Sequence, residues 1–297
     1  MTTLCIVTPT YNRAHQLPTL YQSLLAQTDQ RFHWLIVDDG STDNTQHCVA
    51  TWQAEAKLSI EYLYQANQGK HIALNHAIAH INAPLTFIVD SDDWLLPIAV
   101  ASIYALHERY TSTEVAGYSF LRIDSHGRSL VNKPLPSPEL VDTYCHVRLK
   151  QHSIGDMAEV WMTSLLQAHP FPVFPGEKFY SEAGVWVRIS GQYPMVFTDI
   201  PIYGCEYCAD GLTQNRTKIQ CQSPLGVIDC SQQLMHPSCG LRTNIRACLR
   251  YCVFTNRVGW SFSKSLKESH RAGLVWLCYP PSYFLRSRWQ SHIAKGD

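Results

Sequence analysis

The sequence predicts an α/β protein in which helices flank a mostly parallel central sheet, with a basic helical region at the C-terminal end. Short apolar runs rich in β-branched residues alternate with segments of helical periodicity over the first 110 residues, and polar loops follow three of the runs. Such alternation indicates βαβ units and parallel strand pairing. The charge is also divided, because residues 1–211 carry 12 Lys/Arg and 21 Asp/Glu whereas residues 212–297 carry 12 and 3. The two parts are therefore expected to face different surroundings.

Four strands and four helices are predicted in the first 110 residues. The predicted strands are 4–8, 32–37, 60–64 and 85–89, and the predicted helices are 15–27, 42–57, 70–81 and 97–110. Ser41 or Thr42 would cap the second helix, and Pro97 stands at a favoured first-turn position. Ligands of such sheets bind beyond the carboxyl ends of the strands, so the polar loops after strands one, two and four are expected to meet at one edge.

Beyond residue 112 the alternation weakens. Val115–Ile123 and Met157–Thr163 are predicted to be extended, and Ser181–Ser190 is predicted to be helical. Lys133–Glu139 contains three prolines and is predicted to be a loop.

Composition excludes several classes of protein. Hydrophobic residues make up 45% of the 297 residues and charged residues 16%, so a disordered chain is excluded. The longest apolar stretch, Ala272–Leu285, contains Pro280 and Pro281 and is shorter than the roughly 18 residues that span a bilayer. The N-terminus lacks a signal-peptide pattern, so the 11 cysteines are expected to be reduced thiols. Cys205 and Cys208 have zinc-ligand spacing without a second such pair, and a metal role for them stays open.

Three carboxylates lie within residues 90–93, Asp-Ser-Asp-Asp, directly after the fourth predicted strand. These carboxylates repel one another, so the cluster needs a compensating cation. Mg²⁺ takes oxygen ligands, usually one or two carboxylates plus the phosphates of a substrate. The loop therefore suits a metal–diphosphate ligand, and the alternative interpretation is a solvated acidic turn.

Four segments in register resemble the family 2 glycosyltransferases of the bacterial surface-polysaccharide type, which have the GT-A fold. The matching segments are 6–13 (IVTPTYNR), 36–45 (IVDDGSTDNT), 67–75 (NQGKHIALN) and 87–93 (FIVDSDD). The resemblance covers residues 4–110 and continues more loosely to about 215. It implies a Rossmann-like GT-A catalytic domain over 1–215, with a nucleotide-sugar-binding half at 1–110 and an acceptor half at 111–215.

The resemblance also implies a donor site at the ends of these strands. The residues that it places there are Thr8, Pro9, Tyr11, Asp39, Gly69, Lys70, Asp90 and Ser91. Asp39 would accept a hydrogen bond from a ring nitrogen of the base, and Asp92 would bind Mn²⁺ or Mg²⁺. Asp90 would contact the ribose or assist the metal, and Asp93 would order the loop.

An inverting transfer needs a general base for the acceptor hydroxyl. The family places an acidic residue before a helix that carries an aromatic residue and an arginine, and Ser181–Arg188 has that form, with Ser-Glu where the family has Glu-Asp. Glu182 is therefore expected to be the base and Glu177 is its rival. The alternative is that Glu182 merely caps the helix. The expected acceptor contacts are Asp156, Trp186 and Arg188, and core packing is the alternative for Trp186. Asp210–Thr213 corresponds to a loop that lies near the donor phosphates in related sequences, and the preferred interpretation here is a plain turn.

The C-terminal region, 216–297, combines basic and aromatic side chains. Arg242, Arg246, Arg250 and Arg257 fall at helical spacing among apolar residues. Such a face suits a helix that lies in the interface of an anionic membrane, and the alternative is a helical cap over the catalytic domain. No recognised nucleic-acid-binding motif is present, so no nucleic-acid partner is expected.

Taken with the resemblance, these features predict a metal-assisted inverting glycosyltransferase in the cytoplasm, peripheral at the inner face of the cytoplasmic membrane. It would move a sugar from a nucleotide-sugar, with UDP-sugars as the expected donors, to a hydroxyl of a glycan or a lipid-linked saccharide. The alternative function is a catalytically weak nucleotide-sugar-binding or scaffold protein at the membrane.

Overall fold

The sheet begins with the four parallel strands that the sequence predicts. The computed structural model describes residues 4–151, 155–206 and 216–293. The first elements are β1 (Leu4–Thr10), α1 (Leu17–Leu25), β2 (Phe32–Asp38), α2 (Thr45–Glu55), β3 (Ile60–Tyr64), α3 (Lys70–His80) and β4 (Leu85–Ile88). Strands β3, β2, β1 and β4 lie side by side in that order, and every pairing among them is parallel. The predicted α/β class is therefore confirmed.

The sheet continues with strands that come from later parts of the chain. The elements that follow are β5 (Trp94–Leu95), α4 (Ala99–Arg109), β6 (Gly117–Ile123), β7 (Glu139–Asp142), β8 (Met157–Met162), α5 (Thr163–Ala168), α6 (Ala183–Ser190) and β9 (Met195–Gly204). The order across the sheet is β3-β2-β1-β4-β8-β6-β9-β5, and β7 pairs with β9. Strand β8 runs antiparallel to both β4 and β6, whereas β9 is parallel to β6. Strand β9 was not predicted, and it brings a distant segment to the fourth-strand loop.

An aromatic stack holds α1 and α2 against β2. The rings of Tyr21 and Trp52 are 4.4 Å apart between centroids, and those of Trp34 and Trp52 are 5.9 Å apart. All three side chains are buried. Burial of side chains this large contributes strongly to the packing of the two helices on the sheet.

The described residues group into two compact units. The first unit contains the whole nine-stranded sheet and comprises residues 4–143, 155–170 and 192–206. The second comprises Tyr144–Gln151, Phe171–Gly191 and the described residues from 216 onward. The functional boundaries at residues 110 and 215 stay predictions.

The second unit is helical. Besides α6 it contains a π-helical turn (Cys145–Lys150), a 3₁₀ turn (Pro237–Cys239) and five α-helices: α7 (Arg216–Gln222), α8 (Pro224–Leu234), α9 (Leu241–Arg257), α10 (Phe262–Glu268) and α11 (Ala272–Ile293). The helical periodicity predicted for 181–190 and for the arginine-bearing segment is therefore confirmed. Among the described residues, no helix has the length and apolarity that a membrane span requires.

Candidate active site

The loops after β1 and β2 are bonded to each other at the carboxyl edge of the sheet. The backbone N–H of Asn12 donates to Ser41 Oγ at 2.8 Å, and the N–H of Thr42 donates to Asn12 Oδ1 at 2.8 Å. Asn12 has φ of 53°, a conformation that asparagine tolerates better than most residues. Adjacent parallel strands bring these two loops together, as the predicted sheet requires.

Asp39 lies at the centre of this edge and is buried. Its Oδ1 accepts hydrogen bonds from Gln65 Nε2 and from the N–H of Gln68, each at 2.8 Å. Its Oδ2 accepts from the N–H of Gly69 at 2.8 Å. The carboxylate of the adjacent Asp38 instead accepts hydrogen bonds from the Tyr62 hydroxyl at 2.5 Å and from the backbone N–H of Ser41 at 2.7 Å. The two aspartates therefore have different partners: Asp38 binds β3 and its own loop, whereas Asp39 binds the loop that leads into α3.

Gly40 lets the β2 loop pass close to residue 67. Its φ is +85°, and a Cβ added there would come within 2.7 Å of the backbone nitrogen of Asn67. The side chain of Asn67 also donates to the Asp39 carbonyl at 2.9 Å. A larger residue at position 40 would push this loop away from Asp39.

Lys70 joins the next loop to the acidic cluster. Its Nζ lies 2.6 Å from Asp90 Oδ1, and about a third of each side chain is exposed to solvent. Burial raises the pKa of Asp90, but the charges of Lys70 and Arg122 outweigh this effect and hold the pKa below its ordinary value. The structure thus brings together two residues that the resemblance places at the donor.

Asp93 is buried beneath the cluster and is held by Tyr203 from β9. The Tyr203 hydroxyl donates to Asp93 Oδ2 at 2.6 Å and accepts from the backbone N–H of Asp90 at 3.0 Å. The Arg122 guanidinium lies over the Tyr203 ring, 4.0 Å from its centroid, with Nη1 3.8 Å from Asp93. Burial and the nearby Asp90 raise the pKa of Asp93 to about 7. Sequence reasoning missed Tyr203 and Arg122, because neither carries a local motif.

Asp92 differs from its two acidic neighbours. Within the described part of the chain, its carboxylate makes no hydrogen bond and no ion pair, and it is only partly buried. The described ranges contain no group of three or more His, Cys, Asp or Glu residues that could hold a metal ion. Asp92 would give a cation here one protein carboxylate, with phosphates and water as further ligands. That donor set suits Mg²⁺ or Mn²⁺ carried by a diphosphate.

The loop after β1 separates into buried and exposed members. Thr8 is fully buried, and its Oγ1 accepts from the Trp34 indole N–H at 2.9 Å. Pro9 and Thr10 are also buried, and Thr10 Oγ1 has no hydrogen-bond partner among the described residues. Tyr11 is 48% exposed. Tyr11 is therefore the aromatic ring of this loop that can contact a ligand.

The two candidate bases belong to the second unit and differ in what their carboxylates do. Glu177 is buried, and its two oxygens accept the N–H groups of Leu225 and Gly226 at 2.7 and 2.8 Å, at the start of α8. Glu182 is the N-cap residue of α6, but its side chain makes no capping hydrogen bond. Glu177 thus caps the N-terminus of α8.

The remaining predicted residues have varied surroundings. In the second unit, Trp186 is buried and packs edge-on against Phe171, with ring centroids 5.9 Å apart, and Arg188 is partly exposed in the last turn of α6. In the first unit, Asp156 is exposed just before β8, and Cys205 is buried, which raises the pKa of its thiol to about 11. Asp210–Thr213 and Cys208 lie outside the described residues.

The sequence model of glycosyl transferase family 2 matches residues 5–146. Residues 5–146 belong to this family. The match contains the residues from Thr8 to Asp92 that the resemblance places at the donor site and its metal, whereas Asp210–Thr213 lies beyond it. The candidate bases and Tyr203 lie beyond it, so the family 2 match leaves their roles open.

Two curated relatives show how much of the chain the sequence similarity covers. An uncharacterized glycosyltransferase of Nostoc sp. is 29% identical over 149 residues, which are 50% of this chain and 45% of that protein. The putative teichuronic acid biosynthesis glycosyltransferase TuaG of Bacillus subtilis is 27% identical over 121 residues, which are 40% of this chain and 48% of that protein. The chain thus spans just under half the length of either relative.

Two solved structures match nearly the whole chain and confirm its GT-A fold. Staphylococcus aureus TarS 1-349 in complex with UDP has a TM-score of 0.60 and 16% identity, over 99% of this chain and 92% of that one. Mannosyltransferase PcManGT from Pyrobaculum calidifontis, in complex with GDP-Man and Mn²⁺, has a TM-score of 0.57 and 15% identity, over 98% and 85%.

Proposed function

We propose that this chain is a metal-assisted inverting glycosyltransferase that moves a sugar from a UDP-sugar to a hydroxyl of a glycan or lipid-linked saccharide. One observation carries the proposal: of the three carboxylates in the Asp90–Asp93 loop, Asp90 is paired with Lys70 and Asp93 is bonded to Tyr203, so Asp92 is left for a ligand. The complexes of TarS with UDP and UDP-GlcNAc, and of PcManGT with GDP-Man and Mn²⁺, support a nucleotide-sugar donor.

The first unit binds and orients the donor in this proposal. Tyr11 stacks on the base, while Asp39, whose Oδ2 retains one lone pair, accepts a hydrogen bond from a ring nitrogen. Thr8 and Pro9 form the pocket wall through their backbone. Lys70, beside the N–H of Gly69, contacts the diphosphate or the ribose.

The residues of the acidic loop fit a divalent cation. Asp92 would hold Mn²⁺ or Mg²⁺, and Asp90 and Ser91 would contact the ribose or the outer shell of the ion. Such a cation supplies Lewis-acid stabilisation of the charge on the departing diphosphate. The chain's own task is to keep Asp92 available, which the Lys70–Asp90 pair and the Tyr203–Asp93 hydrogen bond accomplish.

Glu182 is the better candidate for the base. Both oxygens of Glu177 accept N–H groups at the start of α8, and the resemblance to the family places the acidic residue of the base at Glu182, just before α6. In the proposed step, Glu182 accepts the proton of the acceptor hydroxyl as that oxygen attacks the anomeric carbon. The bond from that carbon to the phosphate oxygen breaks, and the configuration inverts. Asp156 and Arg188 are proposed acceptor contacts, while the burial of Trp186 favours a packing role.

The acceptor side is proposed to lie at the cytoplasmic face of a membrane. The excess of basic residues in 216–297 is complementary to an anionic leaflet, and a lipid-linked acceptor would make such docking useful.

Release of nucleoside diphosphate from a panel of UDP- and GDP-sugars with Mn²⁺ tests the transferase activity. Asp92→Asn is expected to lower the rate about 10³-fold, or roughly 4 kcal/mol of barrier. Asp124→Asn is the matched control, because Asp124 is an acid in a surface turn paired with Arg128. Near-normal turnover by Asp92→Asn would refute the role of Asp92, and donor binding without any release would favour the scaffold alternative.

A further inference from the structure

Over residues 272–282, helix α11 has an outward face as apolar as its inward face. Its inward side chains are buried, among them Val275 and Tyr279; the Tyr279 ring packs 4.6 Å from that of Phe262. On the opposite side, Trp276 and Leu277 are each 63% exposed. Positions 272–282 contain no Asp, Glu, Lys or Arg. A helix that is apolar all round is normally buried all round, so the outward face needs an apolar environment.

The segment that precedes this face in the chain is basic. Lys264, Lys267 and Arg271 come just before it in the chain, with Glu268 as the only acid between residues 230 and 296. Lys264 also lies over the Trp260 ring, 4.5 Å from its centroid. Positive charge close in sequence to an exposed tryptophan and leucine is the pattern of a helix at the interface of an anionic bilayer.

We propose that the outward face of α11, defined by Trp276, Leu277 and Pro280, inserts into the headgroup region of an anionic lipid bilayer. Lys264, Lys267 and Arg271 then contact lipid phosphates. The helix does not span, since no helix in the described ranges is long and apolar enough. This inference refines the membrane partner of the proposed function, and it rests on that function only for the identity of the acceptor.

Charge decides in favour of lipid over a second copy of the chain. A second copy would bring the same basic residues to the contact, and like charges would repel across it. An anionic leaflet supplies the opposite charge, and tryptophan is enriched at membrane interfaces.

Vesicle co-sedimentation tests the proposal on the full chain. Wild type is expected to bind vesicles containing phosphatidylglycerol, to bind phosphatidylcholine vesicles much less, and to be released by salt. Trp276→Ser/Leu277→Ser is expected to weaken binding by about tenfold or more, since two apolar side chains no longer insert. Ile98→Ser/Val173→Ser, which removes two side chains 46% and 55% exposed elsewhere, is the matched control. Lys264→Gln/Lys267→Gln is expected to lose about fivefold per lysine with anionic vesicles only.

Three results would overturn the proposal. These are wild type that stays in the supernatant with anionic vesicles, a Trp276→Ser/Leu277→Ser protein that binds like wild type, and a dimer in light scattering that this double variant abolishes. Circular dichroism and thermal unfolding of each variant confirm that it is folded. Nucleotide-induced thermal shifts on the same proteins test donor binding separately from membrane insertion. A protein that binds vesicles but no nucleotide would contradict the proposed function and leave the membrane proposal standing.

Discussion

Removal of one hydroxyl, by Tyr203→Phe, should loosen the acidic loop without a change in the shape of the core. Tyr203 is fully buried, and its oxygen bridges the N–H of Asp90 and the carboxylate of Asp93. The substitution deletes a hydrogen bond to a carboxylate, worth about 1.5–3 kcal/mol, and leaves a backbone N–H unsatisfied, at about 1–3 kcal/mol. These terms share one group and do not simply add, so we expect a loss of about 3 kcal/mol in the free energy of unfolding.

The matched control is Tyr118→Phe. Tyr118 lies on β6 and is also fully buried, but its hydroxyl is bonded to His107 Nδ1 at 2.9 Å, away from the acidic loop. Its loss removes one neutral hydrogen bond and should cost about 1 kcal/mol. Urea unfolding measures both variants, and calorimetric titration with UDP and Mn²⁺ measures whether the donor site has moved. Tyr203→Phe should weaken nucleotide binding and Tyr118→Phe should not. Equal unfolding free energies together with unchanged nucleotide affinity in both variants would refute the bridging role.

Three further predictions concern the surroundings of the site. Gly40→Ala should lower stability by about 1–2 kcal/mol in urea unfolding, because its φ is positive and its Cβ would meet the Asn67 backbone; unchanged stability would contradict this contact. Glu177→Ala should cost about 2 kcal/mol, since two N–H groups at the start of α8 lose their acceptor, whereas a purely catalytic Glu177 would leave stability unaltered. Burial lowers the pKa of His107, so on acidification the imidazole takes up a proton in the unfolded chain before it does so in the folded protein. Wild type should therefore lose stability as pH falls below about 6.5. His107→Gln should remove that part of the pH dependence of the unfolding free energy.

The sequence predicts the parallel half of the sheet well because its signals are local. Apolar runs and helical periodicity identify β1 to β4 and α1 to α4, and parallel order then brings their carboxyl-end loops to one edge. The interaction between Asn12 and Ser41 follows from that order. Periodicity does not predict the strand order in the second half of the sheet, where β8 lies antiparallel between β4 and β6.

The supporting residues of the site could not be predicted from the sequence. Tyr203 reaches Asp90 across 113 positions of chain, and Arg122 approaches Asp93 from β6. Neither contact leaves a motif, since each depends on strand order rather than on spacing. Gln65 and Gln68 carry a weaker signal, because Gln68 lies within the matched segment 67–75, Gln65 lies just before it, and both bind Asp39. The contact of Glu177 with the start of α8 likewise depends on the fold rather than on sequence spacing.

The donor site centred on Asp92 is tested most directly by thermal unfolding of wild type and Asp92→Ala with UDP, with and without Mn²⁺. A ligand at 100 times its dissociation constant adds about 2.7 kcal/mol of stability, which is an easily resolved shift in Tm. We predict a shift in wild type that requires Mn²⁺ and that Asp92→Ala abolishes. No shift with any nucleotide, or the same metal-dependent shift in Asp92→Ala, would contradict the account.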